Sequence, residues 1–207
     1  IEYSEGNDSA FVKIEQKQNT EAGLVYTLPM KVKIYTGNTS VTYPVELTKK
    51  EQTFSFPLNG TSPDLIDADV ERVVLCEKME NKSIANYIKQ YEASANFVAK
   101  YEALEALADS QKVSANAKAT LVSALNDKFY VLREFAARKL RSPFDNEDSV
   151  LATLANLAVK DTYSIVRASA ITRLSKSSKN DAYETLFENA IGDSAYSVAA
   201  AAIKALA

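Results

Sequence analysis

Four carboxylates lie close together near residue 67: Asp64, Asp67, Asp69 and Glu71. Carboxylate oxygens are the ligands that Ca²⁺ prefers in proteins. The four residues do not follow the calcium-loop spacing, in which ligands recur at alternate positions around a glycine and a glutamate ends the loop. We therefore expect a solvated loop that leads into a strand, and no metal site.

The chain has one cysteine and no histidine. Histidine is the commonest metal ligand and the usual general base near neutral pH. Its absence excludes Ser-His-Asp triads, Cys-His pairs and histidine-ligated zinc from this chain. Cys76 ends an apolar segment, 71–76, that is typical of a closing strand, so we expect a buried small hydrophobe and no nucleophile. The residues indicate no catalytic, cofactor-binding or metal-binding side chain, and no enzyme activity of this chain by itself.

Charged residues repeat along the second half of the chain. Aspartates recur at Asp127, Asp161 and Asp193, and the residues six positions later are Arg133, Arg167 and Ala199. Each aspartate is expected to cap the helix that follows it, and each arginine to reach an aspartate of its own or a neighbouring repeat. Because these positions recur with the helices, we interpret them as structural. Tyr163 and Tyr196, beside the aspartates, are expected to line the core or a groove.

The amino-acid composition excludes several classes of protein. The chain has 207 residues, of which 46% are hydrophobic and 25% charged, with a net charge of −3. It is long enough to bury a core and too apolar to be disordered. No apolar run approaches the ~20 residues that span a bilayer. The net negative charge gives no indication of a basic surface that would bind nucleic acid. The chain begins at Ile1 without a leader, which favours a mature or excised piece of a longer protein. The single cysteine is compatible with both cytoplasm and periplasm, so the sequence leaves the compartment undetermined.

The first part of the chain, residues 1–79, alternates apolar and polar residues. Met30, Val32 and Ile34 alternate with lysines whose side chains we expect on a solvated face, and Phe54 and Phe56 flank a serine. Turn signals separate such runs, at residues 6–7, 21–23, 37–38, 59–60 and 62–64. Five to seven strands at this spacing predict an immunoglobulin-like antiparallel β-sandwich. Pro44 cannot donate a ladder hydrogen bond, so its strand is expected at an edge or with a bulge.

The second part, residues 80–207, is rich in alanine and leucine and repeats itself. Leu107, Leu140, Leu174 and Leu206 are 33, 34 and 32 residues apart, and an alanine stands four positions before each. Each repeat therefore predicts two helices joined by a tight turn. Such hairpins bury their apolar faces only by stacking, which predicts an α-solenoid. The pattern Asp-x₄-Val-Arg-x₂-Ala-x₃-Leu, clearest at 161–174, resembles short HEAT repeats.

Four segments carry a resemblance to a known family: YTLPMKVKIYTG at 26–37, KKEQTFSFP at 49–57, PDLIDAD at 63–69 and EALEAL at 102–107. Through them the chain as a whole resembles the C-terminal region of bacterial aminopeptidase N-like zinc metallopeptidases. The resemblance implies a β-sandwich that supports a catalytic domain and a helical domain that gates its cleft. That catalytic domain would carry H-E-x-x-H, a zinc-ligating Glu, a G-x-M-E-N segment and a transition-state Tyr, none of which maps onto this chain.

Two further interpretations stay open. The helical half could belong to a stand-alone HEAT-like scaffold that holds a protein or peptide partner in the groove of its second helices, 129–140 and 163–174. Alternatively, the first half could be an adhesion or carbohydrate-binding sandwich with a helical spacer. In the favoured reading, the partners are the missing catalytic domain of the same polypeptide, with its zinc, and the peptide substrate of the parent enzyme.

Overall fold

The computed structural model describes residues 1–18, 24–141 and 147–207. The turn predicted at 21–23 lies outside the described residues. The chain divides into two compact units, Ile1–Ala103 and Leu104–Ala207. The change of composition at residues 79–80 falls between the last described strand, which ends at Asp67, and the first α-helix, which begins at Ile84.

The first unit contains two antiparallel sheets, as the alternation predicts. Their strands are β1 (Glu2–Gly6), β2 (Ser9–Glu15), β3 (Leu28–Thr36), β4 (Thr39–Leu47), β5 (Glu51–Pro57) and β6 (Leu65–Asp67). One sheet has the order β1-β2-β5 and the other β4-β3-β6. Strand β4 lies at an edge, with Pro44 opposite Lys31, which confirms the edge position inferred from the proline.

The sandwich core follows from the period-two pattern. Val12 and Ile14 of one sheet belong to the same buried cluster as Val32 and Ile34 of the other. Lys31, between two inward residues, is exposed, as expected. The hairpin β1-β2 turns through Asn7 and Asp8, which both have positive φ, and two-residue turns of this kind match the twist of the flanking strands.

The segment 71–76 is not a strand, so the prediction of a closing strand there was wrong. The amides of Val73 and Val74 donate to the two carboxylate oxygens of Asp69, at 2.9 and 3.0 Å. These two amides are therefore not available for hydrogen bonds to a neighbouring strand. Arg72 has a φ of 56°, which bends the backbone away from the extended form. Cys76 is consequently exposed, and its expected burial was also wrong.

Eight α-helices follow in the described residues. They are α1 (Ile84–Ala93), α2 (Phe97–Ser110), α3 (Ala115–Ala124), α4 (Tyr130–Lys139), α5 (Asp148–Lys160), α6 (Ser164–Leu174), α7 (Glu184–Ala190) and α8 (Tyr196–Leu206), with a 3₁₀ helix at Asn180–Tyr183 before α7. Helix α1 begins with a capping box between Ser83 and Asn86. None of the described helices combines the length and the apolar character needed to cross a bilayer.

Helices α3 to α8 form the predicted helix hairpins. The second helices α4, α6 and α8 pack side by side, and α5 packs on α6 as α7 packs on α8. The recurring alanines Ala136, Ala170 and Ala202 are fully buried, which lets neighbouring helix axes approach closely. Leu140 and Leu174 are fully buried as well, whereas Leu206 of the last repeat is 39% exposed.

Enlarging a buried alanine should destabilise this packing. Ala170 lies in α6, which packs on both α4 and α8, so Ala170→Leu should lower the free energy of unfolding of the second unit by about 1–3 kcal/mol. Ala152→Leu, on the exposed side of α5, is the matched control and should change it by less than about 0.5 kcal/mol. Urea denaturation followed by circular dichroism measures both, and equal effects would contradict the packing role.

Candidate functional site

Six charged side chains, most of them buried, form one cluster in the first unit. We call Asp67, Arg72, Lys78, Glu80, Lys82 and Glu102 the ionic cluster. At its centre is Asp67, the last residue of β6, whose side chain is 1% exposed. Its oxygens accept hydrogen bonds from Arg72 Nη1 and Nη2, at 3.1 and 3.2 Å, and from Lys82 Nζ at 2.8 Å. One carboxylate therefore holds two buried cations.

A second carboxylate closes the cluster on the side of the first strand. Glu80 lies 3.1 Å from Lys82 Nζ and accepts a hydrogen bond from the hydroxyl of Tyr3 on β1. The same hydroxyl accepts a hydrogen bond from the amide of Ala68 at 3.3 Å. Strand β1, the end of β6 and the segment before α1 are thus joined through Tyr3 and Glu80.

The third carboxylate comes from helix α2. Glu102 Oε2 lies 2.8 Å from Arg72 Nε and 3.2 Å from Lys78 Nζ. Gln90 of α1 accepts a hydrogen bond from Lys82 Nζ and donates one to the carbonyl of Ala99, both at 2.8 Å. The cluster contains three anions and three cations, so it carries no net charge while it ties the strands of the first unit to its helices.

The titration of the cluster is set by a competition between burial and pairing. Burial raises the pKa of Asp67, but the charges of Lys82 and Arg72 outweigh it and hold that pKa below its ordinary value. Burial likewise raises the pKa of Glu80, and Lys82 and Lys78 bring it below the ordinary value. Burial and then the charge of Glu80 raise the pKa of Tyr3 well above its ordinary value. Asp67 and Glu80 are therefore held ionised, and Tyr3 is held protonated.

The four carboxylates near residue 67 do not act together. Asp64 accepts a hydrogen bond from the amide of Gly37 at 2.6 Å, Asp69 binds the amides of Val73 and Val74, and Glu71 pairs with Lys31 at 2.7 Å. Within the described residues, no three His, Cys, Asp or Glu side chains are grouped so that they could hold a metal ion.

Sequence reasoning did not find most of the ionic cluster. Lys78, Glu80 and Lys82 alternate with Met79 and Asn81, a period-two pattern that puts the three charges on one side of an extended segment. Here the charged side faces inward and Met79 is exposed, which reverses the usual pattern. The alternation was the available signal, but its orientation depends on Asp67 and Glu102, which are distant in sequence.

The second unit contains a regular series of ion pairs, which we call the Arg–Asp ladder. Arg133 binds Asp161 through Nε and Nη2, at 2.7 and 2.9 Å, and Arg167 binds Asp193 in the same way, at 2.9 and 2.8 Å. Each arginine also donates from Nη1 to the carbonyl of the aspartate in its own repeat, Asp127 or Asp161. The predicted contact with a neighbouring repeat is confirmed.

The aspartates do not cap the second helices, so the prediction that each aspartate caps the following helix was wrong. The Oδ1 atoms of Asp127, Asp161 and Asp193 accept hydrogen bonds from the amides of Phe129, Tyr163 and Ala195, which are themselves the N-cap residues. Each carboxylate stands two positions too early to reach the first turn, and it stabilises the turn before the helix instead. Burial raises the pKa of Asp161, but the hydrogen bonds from Arg133 outweigh it, and the pKa lies below its ordinary value.

The recurring tyrosines lie on the surface, so of the two expected positions, core or groove, the core position was wrong and the groove position stays a prediction. Tyr163 is 47% exposed and Tyr196 is 93% exposed. The rings of Tyr163 and Tyr130 are stacked, with centroids 3.9 Å apart and an interplanar angle of 10°. This stack joins two successive repeats, whereas the ring of Tyr196 in the last repeat lies almost fully in solvent.

Breaking one ladder contact should cost a measurable part of the stability of the second unit. In a double-mutant cycle with Arg133→Met and Asp161→Asn, we expect a coupling energy of about 1–2 kcal/mol, because the bonds are charge-assisted, bidentate and partly buried. The pair Lys179–Asp148, in which both side chains are exposed, is the control and should give about 0.5 kcal/mol or less. Urea denaturation of the four variants of each cycle measures the coupling energy. Equal coupling energies for the two pairs would contradict a larger contribution of the ladder to stability.

The first unit also has an apolar opening. A pocket of about 720 Å³ is lined by side chains that include Leu28, Met30, Leu47, Val74 and Met79. Of the large apolar side chains that are exposed in the first unit, Tyr26, Leu75 and Met79 belong to this lining. Exposed apolar surface is typical of places where a protein, a membrane or a ligand binds.

Comparisons with known proteins agree with the two halves of this fold. Residues 118–207 match the family model for HEAT repeats. The crystal structure of Legionella pneumophila aminopeptidase A in complex with aspartic acid is similar to 99% of this chain, with a TM-score of 0.65 and 13% sequence identity. The chain spans 31% of that protein's chain. No curated protein matches the sequence.

Proposed function

We propose that this chain is the non-catalytic, C-terminal region of an aminopeptidase N-type zinc metallopeptidase. In this role the β-sandwich supports a preceding catalytic domain, and the helical repeats restrict access of peptide N-termini to its cleft. The observation that carries the proposal is the likeness to a solved aminopeptidase, which extends over both the sheets and the helices of this chain. The sequence segments at 26–37, 49–57 and 63–69 support the same assignment.

The internal bonding of the first unit supports a structural role. The charges of the ionic cluster are matched by one another and by Tyr3 and Gln90, and the aspartates around residue 67 bind backbone amides or cations. Such an arrangement fixes the geometry of strands and helices. It is what a rigid support for another domain requires, since each buried charge has its partner.

The apolar opening of the first unit supports a covering domain. Leu75 is fully exposed and Met79 is 71% exposed, beside the pocket that Val74 and Leu28 line. We assign this surface to the catalytic domain, which would bury it and would hold the zinc. Peptide substrate would then bind to that domain, and this chain would contribute no catalytic residue.

The complete polypeptide provides the test. We expect the reading frame before Ile1 to encode H-E-x-x-H, and the complete polypeptide with zinc to hydrolyse aminoacyl chromogenic substrates that the 207-residue chain does not hydrolyse. Leu75→Glu should impair the complete polypeptide and leave the 207-residue chain folded, whereas Val159→Glu, on the exposed side of α5, should impair neither. A reading frame that starts just before Ile1, or turnover by the chain alone, would overturn the proposal.

A reading frame that starts just before Ile1 would favour the alternative function, a stand-alone scaffold. A HEAT-like array presents an extended surface along its second helices. In this chain that surface is the row α4, α6 and α8. The reading frame therefore decides between the two functions without any binding measurement.

A further inference from the structure

The last second helix, α8, has an apolar face that is largely exposed. Tyr196, Ala199, Ile203 and Leu206 follow one another at intervals of three and four residues, so their side chains share one face of the helix. Tyr196, Ile203 and Leu206 are exposed. We call these four residues the end face.

The equivalent positions of the preceding repeat are buried. Ile203 stands three residues before Leu206, as Ile171 stands three residues before Leu174. Ile171 and Leu174 are fully buried in α6, whereas Ile203 is 55% exposed and Leu206 is 39% exposed. The same pair of residue types is thus a packing surface in one repeat and faces solvent in the next.

The difference follows from the neighbours of the two helices. Helix α6 packs on a second helix on either side, α4 and α8. Among the described elements, α8 packs mainly on α6 and on its own hairpin partner α7. Solenoids bury the face of one repeat by stacking the next repeat on it, and they end in a repeat whose outer face is polar.

The composition of α8 is not that of a terminal repeat. Lys204 is the one charged residue among its eleven positions. It lies outside the end face, so a polar outer surface is absent where a capping repeat would have one. A helix that is apolar on nearly all sides is typical of a position inside a stack. We therefore interpret the end face as an interface between repeats.

The end face fits a helix that stacks as the other second helices do. Ala199 is small, so a neighbouring helix axis can approach closely between Tyr196 and Ile203. Ala199 also replaces the arginine that Arg133 and Arg167 provide in the ladder, so this contact is apolar and needs no aspartate from its partner. A symmetric dimer would bring the end face onto itself, whereas the contacts inside the array join two different faces.

We propose that a further helix hairpin, encoded directly after Ala207 in the complete polypeptide, packs on the end face and extends the array by at least one repeat. The interface is independent of the proposed function, which concerns the catalytic domain before Ile1. Leu107, Leu140, Leu174 and Leu206 are 33, 34 and 32 residues apart, with an alanine four positions before each. We expect the same Ala-x₃-Leu spacing about 32–34 residues after Leu206.

The reading frame after Ala207 provides the first test. A segment with two amphipathic helices and this Ala-x₃-Leu spacing would support the hairpin. A stop codon directly after Ala207, or a following segment that lacks the helical repeat, would overturn the proposal. Neither result bears on the reading frame before Ile1, so the two proposals fail separately.

Hydrogen exchange of the α8 amides, measured by mass spectrometry, provides the second test. It compares the complete polypeptide with the same polypeptide truncated after Ala207. We expect the α8 amides to exchange about tenfold more slowly in the complete polypeptide, because a helix covered on both sides opens less often. Equal exchange in the two polypeptides would show that the following residues do not cover the end face.

A matched pair of variants of the complete polypeptide identifies the face. Ile203→Glu places a charge in the proposed interface and should remove most of the added protection of α8. Ile165→Glu is the control, because Ile165 lies on the second helix α6 and is 52% exposed, and it should change the exchange of α8 by less than about twofold. Equal effects of the two variants would overturn the proposal. A complete polypeptide that is a dimer, and that Ile203→Glu converts to a monomer in analytical ultracentrifugation, would assign the end face to a second copy and overturn it as well.

Discussion

Asp67→Asn should lower the free energy of unfolding of the first unit by about 3–5 kcal/mol. The substitution preserves the shape of the side chain but removes the anion that holds Arg72 and Lys82, whose side chains are 5% and 1% exposed. Removing one partner from a buried ion pair leaves the other charge without compensation, which costs far more than the pair itself contributes. Urea denaturation followed by tyrosine fluorescence and circular dichroism measures the loss.

Two controls connect the effect to the buried charges. Glu71→Gln removes a carboxylate four residues away, whose partner Lys31 is exposed, and should change stability by less than about 0.5 kcal/mol. Asp67→Asn leaves three cations and two anions in the cluster. Adding Lys82→Met should recover part of the loss, because it restores equal numbers of buried cations and anions. A loss below about 1 kcal/mol for Asp67→Asn would show that the cluster does not stabilise the unit.

The same substitution should change the response to acid. In the folded protein, the pKa values of Asp67 and Glu80 lie below their ordinary values, so the unfolded chain binds protons more readily than the folded one. The stability that these carboxylates contribute is present above their unfolded pKa of about 4 and is lost as the pH falls through the lowered values. Asp67→Asn should therefore lose less stability than the wild type on acidification, and an identical acid profile would contradict the pairing.

Phe135→Ala should lower the free energy of unfolding of the second unit by about 3–5 kcal/mol. Phe135 lies in α4, is 1% exposed and is among the largest fully buried side chains of the described residues. Truncation removes the transfer free energy of the ring and leaves a cavity between packed helices that collapse only partly. Urea denaturation followed by the helical circular dichroism signal measures the change.

Tyr196→Ala is the matched control for this truncation. It removes an aromatic ring at the start of α8, where the side chain is 93% exposed, so we expect a change of less than about 0.5 kcal/mol. Phe135→Leu should fall between the two, since it retains much of the buried volume. If both alanine variants lost the same stability, the loss would not arise from burial in the core.

The features that sequence reasoning predicted correctly rest on local signals. The alternation around Val32, the turn residues at 6–7 and the proline at Pro44 each act on neighbouring backbone, so they indicated the sheets and an edge strand. The spacing of Leu107, Leu140 and Leu174 likewise indicated stacked hairpins, because stacking repeats the same buried positions.

The features that it missed depend either on residues distant in the chain or on a side chain that binds nearby backbone amides. Strand β6 has only three residues and was not predicted, because it pairs with β3 over a long separation. The side chain of Asp69 accepts hydrogen bonds from the amides of Val73 and Val74, so the segment 71–76 does not form the expected strand, and Cys76 is exposed.

The Arg–Asp ladder has a direction. Each arginine is held by carbonyls of its own repeat and reaches the carboxylate of the following one. A duplicated copy of the hairpin α5–α6, inserted after α6, would therefore meet a suitable partner at both of its ends without any change of residue. Growth of such an array by gene duplication is thus compatible with the existing junctions up to Asp193, whereas extension of the ladder beyond α8 would first require an arginine in place of Ala199.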